Sequence, residues 1–230
     1  MSIAANVAAA RERIAAACAR VGRDPAAVRI VAASKTQPPA AIAAAIAAGV
    51  DAIGENRVQE AAAKRPLVAG GPPWLLIGPL QRNKVKAALE VFDAIHTVDR
   101  PELADRLEAM LAGHSRVLPV HLEINIGGEP QKSGIMPDAA LRLAELVVSR
   151  CPHLAVAGLL AVPPWDPDPE RSRPHFAALR ALSERLAAAL GMARLELSMG
   201  MSEDFEIAVE EGATAVRLGR VLFGERVTVT

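Results

Sequence analysis

The stretch "VRIVAASKTQPPAAIAAAIAAG", Val28 to Gly49, decides the fold. Its first seven residues (28–34) form an apolar, β-branched run, short enough for a buried strand. Lys35 follows where that strand should end. The segment "PPAAIAAAIAAG" then opens on prolines, which suit a first helical turn, and closes on a glycine, which suits a helix end. The unit is therefore strand, polar residue, helix. A strand apolar along its whole length belongs in a parallel sheet covered on both faces. An ammonium at the end of such a strand is costly to bury unless the molecule uses it, so Lys35 is the first candidate functional residue.

The unit recurs outward from this point. Strands are expected at 28–34, 51–55, 74–80, 93–98, 118–125, 154–162, 194–200 and 214–219, separated by Ala- and Leu-rich amphipathic segments such as "PDAALRLAELVVSRC". Eight strands alternating with helices in 230 residues predict an α/β fold, a single (β/α)8 TIM barrel spanning residues 1–230 as one domain. The alternative, an open doubly wound sheet, would need fewer strands. No Gly/Ser-rich linker divides the chain, and the Pro-rich "VPPWDPDPERSRP" (162–174) reads as a long strand-to-helix loop on the functional face. An extra helix precedes the first strand. Ile3, Val7, Ile14, Cys18 and Val21 are helically spaced, with Arg11, Glu12, Arg13 and Arg20 between them.

Composition narrows the function. Half the residues are apolar but only 3% are aromatic, so the core must be built from Ala, Val, Leu and Ile. The 26 basic and 26 acidic residues cancel, leaving no field to gather phosphate backbones, and no nucleic-acid partner is expected. The amino terminus lacks the apolar run of a signal peptide and no stretch approaches a membrane span, so a cytoplasmic protein without membrane contact is expected. Cys18 and Cys151 match no metal-ligand spacing and read as buried thiols in a reducing compartment, with no metal site.

In a barrel of this kind the functional face lies at the carboxyl ends of the strands. The polar residues met there are Lys35, Glu55, Asn56, Asn125, Ser198, Ser202 and Arg217, with His96 inside the fourth strand. A closed barrel makes the first and eighth strands neighbours and so brings Lys35 to Arg217. "SMGMSED" passes through Gly200 into a helix expected to open at Ser202, with Glu203 and Asp204 in its first turn. "RLGRVLFG" supplies a second glycine turn at Gly219. Loops after strands seven and eight often hold phosphate in barrels, and free N–H groups at a helix start suit an anion. Each residue also has a plainer reading. Ser202 could be an N-cap, Gly200 and Gly219 turn glycines, Arg217 an ion-pair partner of Glu55 or Glu123, Asn56 a turn residue, and His96 and His121 core histidines. Their convergence on one face favours the functional set.

A lysine beside a phosphate site suits two chemistries, both through a Schiff base. One is a class I aldolase acting on a sugar phosphate. The other is an aldimine with pyridoxal 5′-phosphate. The chain has no P-loop, no GxGxxG and no HExxH.

The motifs "AASKTQP", "IGENRVQEAAAK", "WLLIGPLQRNK", "HTVDR", "INIGGEPQKSG", "GLLAV" and "LSMGMSEDFEIAVEEGATAVRLGRVLFG" occur in this order along almost the whole chain. Together they resemble the YggS/PROSC-type pyridoxal phosphate homeostasis protein family. The resemblance implies a barrel related to the amino-terminal domain of alanine racemases, with pyridoxal 5′-phosphate held as an aldimine at Lys35. It implies Asn56 near the ring, Arg217 facing the pyridine nitrogen, and Ser202, Gly219 and the backbone of Arg220 on the phosphate, helped by Ser198. It further implies a protein that buffers and delivers the cofactor without established turnover; a monomer is expected, with pyridoxal-phosphate-dependent apoenzymes as transient partners. Independently of that resemblance, Lys84, Lys86 and Lys132 are the spare amines, and Lys132 is the candidate for a transit lysine.

Three positions depart from the family's usual pattern: Leu75 for a histidine, Arg57 for an aromatic residue, and Arg220 for Thr or Ser. The rival reading is a pyridoxal-phosphate-dependent racemase of low activity using Lys35, with His96 as a conceivable second base. The chain has no tyrosine for that role.

Overall fold

Val31 pairs in parallel with Ala52 on one side and with Arg217 on the other, so the first strand lies between the second and the last. The sheet thereby closes into an eight-stranded parallel barrel in sequence order. This architecture comes from a computed structural model that describes residues 2–224. The strands are β1 (Arg29–Ala33), β2 (Ala52–Glu55), β3 (Trp74–Leu76), β4 (Ala94–Val98), β5 (Leu118–Ile124), β6 (Leu154–Ala161), β7 (Glu196–Ser198) and β8 (Ala215–Leu218). Helix α1 (Ile3–Arg20) precedes them. Between and after them come α2 (Pro39–Ala47), α3 (Val58–Lys64), α4 (Val85–Val91), α5 (Pro101–Leu111), α6 (Ala140–Arg150), α7 (Arg173–Ala189), α8 (Phe205–Glu210) and α9 (Arg220–Phe223). The expected (β/α)8 barrel with an additional amino-terminal helix is the fold observed. Residue 1 and residues 225–230 of the expected 1–230 span lie outside the described residues.

Alternation along the strands divides the interior in two. Ile30 and Ala32 face the helices and join the large core that α1, α5 and α7 complete with Ile14, Leu103 and Phe176. Val31, Ala52, Leu75, Ala94 and Ala215 face the barrel axis and form a small second cluster with Ile77. Alanine on three of these five positions lets the strands curve into a narrow tube. Leu75 therefore packs inside the barrel.

Several boundaries differ from expectation for local reasons. β3 stops at Leu76, because Gly78 passes so close to Asn56 that a Cβ there would sit 2.4 Å from the Asn56 carbonyl oxygen. Pro79 then lacks an N–H to continue the ladder. Val21 caps α1 and is 44% exposed, so it is not part of that helix's buried face. α8 begins at Phe205, not at Ser202. Asp204 is its N-cap, and its carboxylate accepts the Met201 N–H at 2.7 Å, which shapes residues 202–204 into a turn. The loop after β6 leads, as expected, into a helix, but α7 begins at Arg173, inside the expected 162–174 loop, after a single 3-10 turn at Pro169–Ser172. Cys18 and Cys151 are buried free thiols, each pushed upward in pKa first by burial. Among the described residues no helix is long and apolar enough to cross a membrane, and no cluster of three His, Cys, Asp or Glu could hold a metal ion.

Candidate functional site

A cleft of about 440 Å³ opens at the carboxyl ends of β1 and β8. Lys35, Ser202, Arg217, Gly219 and Arg220 all line it, together with Ala33, Met201 and Glu203. The volume is within the range that takes a small organic ligand. Lys35 follows β1 and Ser34 and is exposed, so the burial expected of an ammonium at that strand end is not what the structure shows. Arg217 projects from the middle of β8. The other three come from the turns after β7 and β8.

Arg217 is buried and is anchored by neutral oxygens. Its Nη1 donates to the Ser198 carbonyl at 2.5 Å and to Ser198 Oγ at 2.9 Å, and its Nη2 donates to the Ala161 carbonyl at 2.9 Å. Among the described residues no carboxylate lies within ion-pair distance of it, so it is not a partner of Glu55 or Glu123. Burial pushes its pKa down to about 10, against the pull of Asp204 and Glu123. The guanidinium thus stays protonated at neutral pH.

The two glycine turns serve different ends. Gly200 takes φ +90, and a Cβ there would be 2.5 Å from the Ala208 Cβ, so the packing of α8 demands glycine. Gly219 has φ −112, open to any residue, and a Cβ would meet nothing nearer than the Ala33 carbonyl oxygen at 3.5 Å. Nothing in the protein itself requires glycine at 219. Its bare backbone leaves room in the cleft, beside the N–H groups at the start of α9. Ser202 Oγ reaches across the same place and accepts the Val221 N–H at 3.4 Å. At the rim, Arg220 pairs with Glu203, both about half exposed.

Two of the seven predicted residues lie elsewhere. Ser198 is fully buried and does not line the cleft; its hydroxyl holds Arg217. Asn56 lines a second cleft of about 510 Å³ with Arg57, Gln81 and Lys84. Lys132 lies in another cleft, which adjoins the first through Met201 and Glu203. It donates to the Pro163 carbonyl at 3.0 Å and pairs with Glu129. Asn125 organises that loop by bonding the backbone of Glu129 in both directions.

His96, the conceivable second base, is not at the cleft. It stacks on His121 in the barrel interior, ring centroids 3.7 Å apart. Burial, then the charges of His121 and Arg217, push it well below the usual histidine value. His121 is lowered by burial as well, although its Nε2 lies 3.3 Å from Glu196 Oε2. Contact with His121 first, and then the Arg29 guanidinium, bring Glu196 to about 2. The histidines are therefore neutral and Glu196 ionised.

A further group went unassigned from sequence. Lys64 of α3 donates to Glu55 at 2.8 Å, to Glu60 at 2.5 Å and to the Ser34 carbonyl at 2.9 Å. Ser34 Oγ donates to Glu55 at 2.7 Å, and the Thr36 N–H to Glu60 at 2.5 Å. Thr36 has φ +66, a left-handed conformation costing a β-branched residue on the order of 1–3 kcal/mol. The i, i+4 spacing of Glu60 and Lys64 in "QEAAAK" is the signal that would have found the pair.

A lysine and an arginine thus meet across the β1–β8 seam of a closed parallel barrel, beside the turns that follow β7 and β8. The model of the alanine racemase N-terminal domain matches residues 4–227, and the chain belongs to that family. Within it the chain is similar to pyridoxal phosphate homeostasis proteins, the group its motifs indicate. It is 42% identical to that of Aquifex aeolicus over 94% of both chains. It is 43% identical to that of Pseudomonas aeruginosa over 98% of this chain and 96% of the relative. Among solved structures, PipY of Synechococcus elongatus, determined with PLP bound, superposes with a TM-score of 0.83 at 37% identity, covering 97% of this chain and 100% of PipY.

Proposed function

We propose that this protein binds pyridoxal 5′-phosphate covalently through Lys35, and holds and delivers the cofactor in the cytoplasm without turning over a substrate. One observation carries the reading. A single cleft gathers an amine, a buried guanidinium without a carboxylate partner among the described residues, a serine hydroxyl and a glycine whose bare backbone faces open space. Bound there, the cofactor supplies an aldehyde for an amine and a ring whose electron-accepting power depends on protonation of its nitrogen.

The chain's own groups divide the work. Lys35 provides the attaching amine. Ser202 and the backbone N–H groups of Gly219 and Arg220 would hold the phosphate, an arrangement favoured at a helix start. Arg217, still charged, would donate to the ring nitrogen and keep it unprotonated, since a guanidinium has no acceptor to offer. That makes the ring a poor electron sink, suited to storage and exchange. Ser198 acts one step removed, by fixing Arg217. Asn56 has the least geometric support of the seven.

Among the described cleft residues there is no Tyr, His or Cys, and the carboxylate of Glu203 is engaged by Arg220. The cleft thus lacks the second base a two-base racemase needs. One chain builds the cleft, so a monomer suffices, and apoenzymes that require the cofactor are the transient partners such a role implies.

The test is borohydride reduction of the cofactor-loaded protein, digestion and mass spectrometry. A pyridoxyl adduct on Lys35 is expected, and Lys35→Ala removes it completely. An adduct confined to Lys84, Lys86 or Lys132 overturns the assignment. Robust D-alanine formation from L-alanine, read by chiral chromatography, overturns the non-catalytic reading.

A further inference from the structure

We infer that Glu60 and Lys64 of α3, with Glu55 of β2, are positioning residues that set the direction of the Lys35 side chain. The inference rests on Lys35 being the point of attachment. Its ground is where the hydrogen bonds fall. The peptide unit before Lys35 is held by its carbonyl, Ser34 O, which accepts from Lys64 Nζ at 2.9 Å. The peptide unit after Lys35 is held by its N–H, that of Thr36, which donates to Glu60 Oε1 at 2.5 Å. A peptide unit is planar and rigid. Fixing the planes on both sides of one α-carbon fixes φ and ψ there, and with them the bond from that α-carbon to its side chain.

The two anchors are themselves joined, because Lys64 also bonds Glu60 at 2.5 Å and Glu55 at 2.8 Å, while Glu55 holds the Ser34 hydroxyl. Burial disfavours the ionised Glu60, but its bonds from Lys64 and the Thr36 N–H outweigh that and keep its carboxyl below the usual range. A cluster serving merely to dock α3 on the barrel would have no reason to converge on these two peptide units. Nor would it hold a threonine at φ +66 beside the cleft lysine. Supporting groups of this kind, which keep a reacting side chain within a fraction of an ångström, are a recurrent need of covalent sites.

Glu60→Ala and Glu60→Gln test this, since Glu60 is partly exposed and its loss leaves the buried Lys64–Glu55 pair intact. The probes are pyridoxal 5′-phosphate, followed by absorbance, and pyridoxine 5′-phosphate, which has the ring and phosphate but no aldehyde, followed by calorimetry. Glu60→Ala should weaken pyridoxal phosphate attachment about tenfold or more while leaving pyridoxine phosphate binding within about twofold. Glu60→Gln should recover most of the loss, because its amide oxygen still accepts the Thr36 N–H. Equal loss for both ligands, no loss for either, or no recovery in Glu60→Gln overturns the inference.

If the wild-type protein shows no Lys35 adduct, the attachment reading fails first. The clamp is then judged by acetic anhydride labelling of the protein, with exposed Lys86 as internal reference. A Lys35 rate in Glu60→Ala that differs from wild type by about threefold or more upholds it, and an unchanged rate overturns it.

Discussion

Lys64 and Arg217 are both cations buried in the wall of one barrel, and they are solvated in opposite ways. Lys64, on the outer side under α3, touches two carboxylates and a carbonyl, with its side chain only 11% exposed. Arg217, inside the mouth, touches a hydroxyl and two carbonyls. The first charge is cancelled where it stands. The second is stabilised by dipoles but left with its net positive field directed at the cleft. A buried cation matched by carboxylates reads as structural, and one held by neutral oxygens reads as waiting for an anion or a lone pair.

The largest test of that contrast is stability. Lys64→Met leaves Glu55 buried without its cation and should lower the unfolding free energy by about 3–5 kcal/mol, measured by urea denaturation. Arg217→Met loses three hydrogen bonds but also relieves an uncompensated buried charge, so its change should stay within about 2 kcal/mol. If Arg217→Met proves the more damaging, the contrast breaks.

Ligand binding should rank the pair the other way. Arg217→Gln should weaken pyridoxal phosphate binding by about 10–100-fold, the worth of a charge-assisted hydrogen bond, in an absorbance titration. Binding unchanged in this variant would mean that the field of Arg217 is not used.

The smallest effect comes from a third buried region, the stacked His96 and His121. Their folded pKa values lie below the ordinary 6.5, so as pH falls through 6.5 the unfolded chain takes up protons that the folded one refuses, and stability declines. Above that window the pair has no effect. Glu55 and Glu123, raised by burial, act in the opposite sense, gaining protons in the folded state as pH falls. Glu196 loses its contribution only lower, as pH drops from 4.5 toward about 2, and Glu60, also held below the ordinary value, likewise loses its own below 4.5. The decisive quantity is therefore a difference. His96→Leu should flatten the fall in urea midpoint between pH 7 and 5 relative to wild type, and an identical slope would refute the assignment.

The barrel was legible because apolar runs alternate with amphipathic segments, several of which open on proline or aspartate and close on glycine. All eight strands and the β1–β8 seam follow from that repetition, and so does the meeting of Lys35 with Arg217. What stayed hidden depends on register and on side-chain competition. The start of α8 moved because Asp204 captured the Met201 N–H, leaving Ser202 in the turn ahead of the helix. The histidine stack lies beside register shifts in β4–β5 and β5–β6, which no alternation pattern announces. The Lys64 cluster was visible as an i, i+4 pair but gave no hint that it reached the peptides flanking Lys35.

Because β8 zips onto β1, the barrel has no complete mouth until its last strand is in place. During synthesis the lysine leaves the ribosome early and waits through most of the chain for Arg217 and Gly219 to emerge. A nascent or truncated chain carries Lys35 without the cleft residues of β8 and its following turn beside it. If the cleft takes the cofactor as proposed, capture would have to wait until β8 has joined β1.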